Sequence, residues 1–176
     1  MADCRYNHLN NDHSMTGNTF PPTGTPSAGK ERWVIGADVI SWLLPVKHPM
    51  IMVDRITGYR SEPLSLVAER YVSANEPAFV GHFPNMKLWP GIYTIEGLRQ
   101  CCLLLQILHR LEEAGLLEGV TELQHRQMLR PKINHELCQQ VIDFLKSSRP
   151  VDPDLFSLRI KLLEPLFAGA LINYHC

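Results

Sequence analysis

The chain has 176 residues, 45% hydrophobic and 20% charged, with a formal net charge of −1, the size and make-up of one globular domain able to bury a core. So balanced a charge argues against nucleic acid as an obligate partner, which demands a basic face. No run is long and apolar enough to span a bilayer and the N-terminus carries no apolar signal core, so no membrane partner and a cytoplasmic location are expected.

Residues 1 to about 30 are rich in Asn, His, Thr, Pro and Gly without hydrophobic period, and read as a flexible leader before a single domain over 31–176. His8 and His13 in that leader could touch a metal but read as solvated tail. A short helical pattern runs from Ile35 to Leu44 and stops at Pro45. Met50–Ile56 reads as a strand and Ser65–Val72 as a second. The charged stretch Arg60-Ser61-Glu62-Pro63 lies between them, so the two are expected to pair antiparallel. Asn75-Glu76-Pro77 breaks the pattern ahead of a loop containing His82.

A helix is predicted from about Gly91 to Glu113, entered at Pro90-Gly91 and left at Ala114-Gly115. Its middle is apolar all round, which fits burial under a sheet. Against that background Glu96 and Gln100 stand out as an i, i+4 pair on one face. From 116 to 140 the chain is polar and partly helical, interrupted at Pro131. His135-Glu136 opens a zinc-protease pattern that fails, because position 139 is Gln139. Val141–Leu145, Phe156–Leu163 and Ala168–Tyr174 read as closing strands, with Arg149–Asp154 as a turn. Strands on both sides of one buried helix give an α+β domain. The cysteines Cys4, Cys101, Cys102, Cys138 and Cys176 are odd in number and unpaired in spacing, and read as small buried hydrophobes.

Chemistry concentrates in two segments. His82 lies in Gly81-His82-Phe83-Pro84, where Gly81 and Pro84 constrain the backbone without crowding the ring. Glu96 lies in the first turns of the apolar helix, where burial is expected to raise its pKa and keep it available as an acid. The helix start offers backbone N–H groups to an oxyanion or enolate. A histidine titrating near neutrality beside a carboxylate supplies general acid-base chemistry. The plainer alternative is a histidine without catalytic duty and a glutamate that favours the helix dipole.

Leu43 to Arg55, Asn75 to Pro84 and Pro90-Gly91 through Glu96 to Gln100 resemble the (3R)-hydroxyacyl-acyl-carrier-protein dehydratases of fatty-acid synthesis, a FabZ-like hot-dog family. Arg149–Pro153 is similar to a further family segment, and the likeness covers roughly residues 38 to 175. The resemblance implies a long central helix wrapped by an antiparallel sheet. It also implies a homodimer, or an oligomer of dimers, with His82 of one subunit facing Glu96 of the other. His82 would remove the α-proton of a β-hydroxyacyl thioester carried by acyl carrier protein, and Glu96 would protonate the departing hydroxyl. Gln100 would steady the carboxylate, the Gly91 amide would polarise the thioester carbonyl, and Phe83 and Trp89 would border the substrate. Glutamate rather than the aspartate of the dehydratase-isomerase branch implies plain dehydration, with no metal or organic cofactor.

This sequence departs from that pattern at Lys87-Leu88-Trp89, at Arg99 and at Cys101-Cys102, and in a longer segment from Leu116 to Gln140. Trp89 either narrows the acyl tunnel or fills core, and Arg99 either points to solvent or pairs with a partner subunit. Lys87, Arg99 and Arg149 are candidates for a basic patch that docks an acidic carrier. The resemblance also implies a closing strand beyond Cys176, so these residues read either as a fragment or as a shortened relative. Two other readings compete: a hot-dog thioesterase, and a non-catalytic hot-dog subunit that binds acyl carrier or a catalytic partner.

Overall fold

A computed structural model describes the backbone of residues 5–8 and the whole of 34–148 and 163–176. The elements in chain order are β1 (Arg5–His8), α1 (Ala37–Leu43), β2 (Arg55–Ser61), β3 (Leu64–Tyr71), α2 (Gly91–Glu113), α3 (Leu117–Gln127), α4 (His135–Ser147) and β4 (Leu171–His175). One antiparallel sheet has the order β1-β4-β3-β2. The hairpin pairs Arg55 with Glu69 and Ser61 with Leu64 across a turn at Glu62-Pro63, and its register shifts between Ile56 and Gly58. β4 lies against β3, with Ala68 opposite Tyr174 and Tyr71 opposite Leu171.

Local chemistry explains the boundaries. α1 ends where Leu44 turns extended (ψ 141°) because the ring of Pro45 excludes the helical conformation before it. α2 is closed by Gly115 in the left-handed region (φ 70°), where a side chain would be strained. The Gly115 N–H bonds the Glu112 carbonyl and the Leu116 N–H bonds that of Leu111, so carbonyls at the helix end are satisfied. α4 is capped by Asn134, whose side chain accepts from the Leu137 N–H at 3.0 Å. The core lies between α2 and the sheet, with Leu103, Leu104, Leu108 and Leu111 meeting Ile56, Leu66, Ile172 and Tyr174, all fully buried. Val120, Leu123, Cys138 and Val141 extend it under the α3–α4 pair.

Three sequence expectations are corrected. The strand read over Met50–Ile56 begins only at Arg55. Met50 and Met52 before it are held by a side chain rather than a neighbouring strand: Gln100 accepts from the Met52 N–H at 2.8 Å and donates to the Met50 carbonyl at 2.7 Å, and only at Asp54, whose N–H bonds the Glu69 carbonyl, does β3 take over. Val141–Leu145 belongs to α4, with Cys138 and Val141 facing α3 one turn apart, so its apolar run followed the helical period. Within the leader, Arg5–His8 forms an edge strand paired with β4, Tyr6 opposite Tyr174, which the polar composition did not announce. The rest of that leader, with His13 and Cys4, lies outside the described residues, as do the turn at Arg149–Asp154 and the strand read over Phe156–Leu163 except for its last residue, Leu163, which is in no strand. Cys101, Cys102, Cys138 and Cys176 are free thiols. No described helix is long and apolar enough to cross a membrane.

Candidate active site

Pro77–Val80 forms a single 3-10 turn that delivers the chain to Gly81 and His82. The His82 Nδ1 lies 2.9 Å from the Leu88 carbonyl oxygen. A carbonyl only accepts, so Nδ1 carries the proton and the neutral ring keeps its lone pair on Nε2, the form a base requires. Phe83 stacks on the imidazole at 4.4 Å between centroids and is otherwise exposed. The loop is tied to the chain before β4 by the Trp89 N–H, which donates to the Leu166 carbonyl at 2.7 Å, and by a bridge between Leu88 and Phe167.

Together these segments enclose a cavity of ≈ 310 Å³ walled by His82, Leu88, Trp89, Gly91, Thr94 and Leu163–Leu166. Gly91 opens α2, so the positive end of the helix borders the cavity, where first-turn N–H groups have no partner within the helix. Trp89 is 3% exposed and lies edge-on to Phe79 and Tyr93, with the Arg70 guanidinium 5.8 Å from its ring. Trp89 therefore fills core and forms cavity wall at once. Arg70 is itself held by Asp54 and Glu76, both at 2.6 Å.

Glu96 does not wall this cavity. Its carboxylate is gripped from its own helix: Arg99 Nε donates to Oε2 at 2.8 Å, Arg99 Nη2 to Oε1 at 2.7 Å, and Gln100 Nε2 to Oε1 at 2.8 Å. Gln100 is fully buried, and its amide binds Glu96 on one side and the Met50–Met52 backbone on the other. The structure thus brings Glu96 and Gln100 together and keeps His82 and Gly91 at the cavity, and the two groups are not bonded to each other within one chain.

The expected rise in the Glu96 pKa is reversed. Burial pushes the carboxyl up, but hydrogen bonds from Arg99 and Gln100 and the Arg99 charge outweigh it and hold the group below the usual glutamate range. Arg99, 28% exposed, pairs with Glu96 of its own helix rather than standing free in solvent. Lys87, a second candidate for the docking patch, donates to the Ala74 carbonyl at 2.9 Å, and Arg149 lies outside the described residues. Sequence reasoning missed three participants: the Leu88 carbonyl that fixes the imidazole tautomer, Thr94 in the cavity wall, and the Arg99 fork. Only the last had a signal, the i, i+3 spacing of Glu96 and Arg99.

A model of the FabA-like domain matches residues 44–150, more than half of the chain. A protein of Chlamydia muridarum named 3-hydroxyacyl-[acyl-carrier-protein] dehydratase FabZ is 37% identical over 105 residues, covering 57% of this chain and 69% of the relative. A protein of the same name from Chlamydia caviae is 38% identical over 106 residues, 58% of this chain and 69% of its own. A third, from Anaeromyxobacter, is 35% identical over 133 residues, 74% of this chain and 73% of the relative. The chain belongs to the FabA-like domain family, with its hot-dog fold of a long helix against an antiparallel sheet.

Proposed function

We propose that this protein is a dehydratase that converts (3R)-hydroxyacyl thioesters of acyl carrier protein to trans-2-enoyl thioesters. The observation that carries the proposal is His82, its Nδ1–H committed to a carbonyl and its Nε2 left as acceptor, in the wall of a cavity that also meets the start of α2. Nε2 takes the α-proton, and charge that develops on the thioester oxygen is met by the N–H of Gly91 and the dipole of α2. The C–O bond then breaks and the hydroxyl leaves with a proton from Glu96, giving water and the enoyl product. The chain's relatives named FabZ carry that activity in their name.

Glu96 meets His82, in this proposal, across two copies of the chain. Large apolar residues near the site are left to solvent in one copy: Val80 is 85% exposed and Ile92 63%, with Phe83 and Met86 nearly half exposed. Apolar surface of that kind is ordinarily covered by a partner. The test is an ultraviolet assay with a β-hydroxybutyryl thioester. Enoyl absorbance supports dehydration, and release of free thiol in its place indicates a thioesterase. His82→Ala and Glu96→Gln mixed after subunit exchange should regain part of the lost activity; no rescue with exchange confirmed removes the shared site.

The fork on Glu96 favours one rival, a non-catalytic subunit whose acid has been neutralised by Arg99. Neither enoyl product nor free thiol from the pure protein would decide for it.

A further inference from the structure

The proposed acid is held by a group that the reaction does not require. Arg99 and Glu96 are 28% and 20% exposed, and the fork occupies both carboxylate oxygens. Guanidinium is donor only, so it binds a carboxylate in two parallel bonds and offers a carboxylic acid no acceptor. A protonated Glu96 would turn its hydroxyl toward a donor, so one bond of the fork must break whenever Glu96 takes a proton. The loop before β2 reaches Glu96 through Gln100 and carries Lys47, His48 and Asp54 as its titratable groups, with Lys47 donating to the Ser41 carbonyl. Asp54 is already engaged by Arg70 and by the Tyr71 N–H. His82 of the second copy is the titratable group that the proposed dimer brings to this carboxylate.

We propose that Arg99 is a positioning residue that keeps Glu96 ionised between turnovers, so that dehydration proceeds from the minority arrangement of neutral His82 and protonated Glu96. This rests on the dehydratase reading. One proton is shared by the two groups, as imidazolium with carboxylate or as imidazole with carboxylic acid, and pH does not alter the ratio between these arrangements. Arg99 does alter it, because its fork stabilises only the carboxylate. Each turnover ends with the proton from the α-carbon on His82 and the proton of Glu96 lost to water. The enzyme is then in the majority arrangement, and a proton must return to Glu96 against Arg99 before the next cycle.

The pH profile of kcat/KM reads this directly. Its acid limb belongs to Glu96 and its base limb to His82. Arg99→Leu should move the acid limb to higher pH and leave the base limb in place. Each unit of movement enlarges the working arrangement about tenfold, which raises the plateau. Arg99→Lys keeps the charge without the fork and should move the acid limb less. A carboxyl-carbon NMR titration of labelled protein, with Glu96 assigned by its loss in Glu96→Gln, follows the same group without substrate. A higher Glu96 midpoint in Arg99→Leu supports the proposal, and an unchanged midpoint overturns it. If Arg99→Leu does not fold, the Arg99→Lys midpoint decides in the same way. Wild-type protein that forms no enoyl product sinks the dehydratase reading alone, because the NMR midpoints still decide whether Arg99 holds the carboxylate.

Discussion

The α2-and-sheet half and the α3–α4 pair use the same packing device and differ in what they leave unfinished. In each, a helical glycine lets a neighbour approach. A Cβ at Gly97 would run into the Tyr174 hydroxyl and lie 2.5 Å from Cζ of its ring, and a Cβ at Gly119 would strike Val141 and lie 3.2 Å from the Leu137 carbonyl oxygen. Among the described residues, however, the buried side-chain polar atoms without a hydrogen-bond partner are on Arg70, Trp89, Thr94, His109 and Tyr174, all outside α3 and α4. Such groups lose hydration without recompense and ordinarily find partners. The buried side-chain polar atoms of the helical pair are therefore all satisfied among the described residues, whereas the half that carries His82 and Glu96 has polar capacity to spare for substrate or a second copy.

The sharpest way to break this contrast is to remove chemistry without touching packing. His82→Ala and Glu96→Gln should each lower kcat/KM by about 10²–10⁴, the usual worth of a general base or acid, with the folded circular dichroism spectrum unchanged. Full activity in either variant removes that residue from the mechanism. Gly97→Ala comes next. Tyr174 is fully buried, so its ring has no room to yield, and overpacking of this kind destabilises by about 1–3 kcal/mol. Denaturant unfolding should show that loss together with a fall in activity, because Gly97 adjoins Glu96. Gly119→Ala meets the equally buried Val141 and should destabilise by a similar amount. Activity per folded molecule should survive it. A loss of activity from Gly119→Ala equal to that from Gly97→Ala would erase the distinction between the halves.

How far the chain could be read in advance follows the same division. α2 was legible to its ends because Pro90-Gly91, an apolar circumference and Gly115 agree on one element. The hairpin was legible as a pair but its first strand was placed early, because Met50–Val53 is apolar like a strand yet Met50 and Met52 take hydrogen bonds from the Gln100 side chain. Val141–Leu145 misled for a related reason: a short apolar run fits a buried strand or a helix face, and here it continues the helix capped at Asn134, with Val141 packed on Gly119. His82, Glu96, Gln100 and the helix start at Gly91 were singled out by residue type and spacing, while the roles proposed for Gln100 and Gly91 came from the family resemblance. The protonation of Glu96 was not, because burial and an adjacent cation pull in opposite directions and only distances decide between them.

The smallest effect tests the spare polar capacity itself. Thr94 is 1% exposed, borders the cavity, and its Oγ1 has no hydrogen-bond partner among the described residues. Valine has the same branched shape and no hydroxyl, so Thr94→Val removes a dehydrated polar atom without opening a hole. The expected outcome is a gain of up to about 1 kcal/mol in unfolding free energy, read from denaturant melts at high dilution, where any dimer dissociates. At assay concentrations KM should rise if the hydroxyl serves substrate, while stability still increases. A loss of stability at high concentration alone would mean that a second copy supplies the missing partner. A loss at every concentration would mean that the hydroxyl is satisfied within the chain, and the contrast between the two halves would fail at this residue.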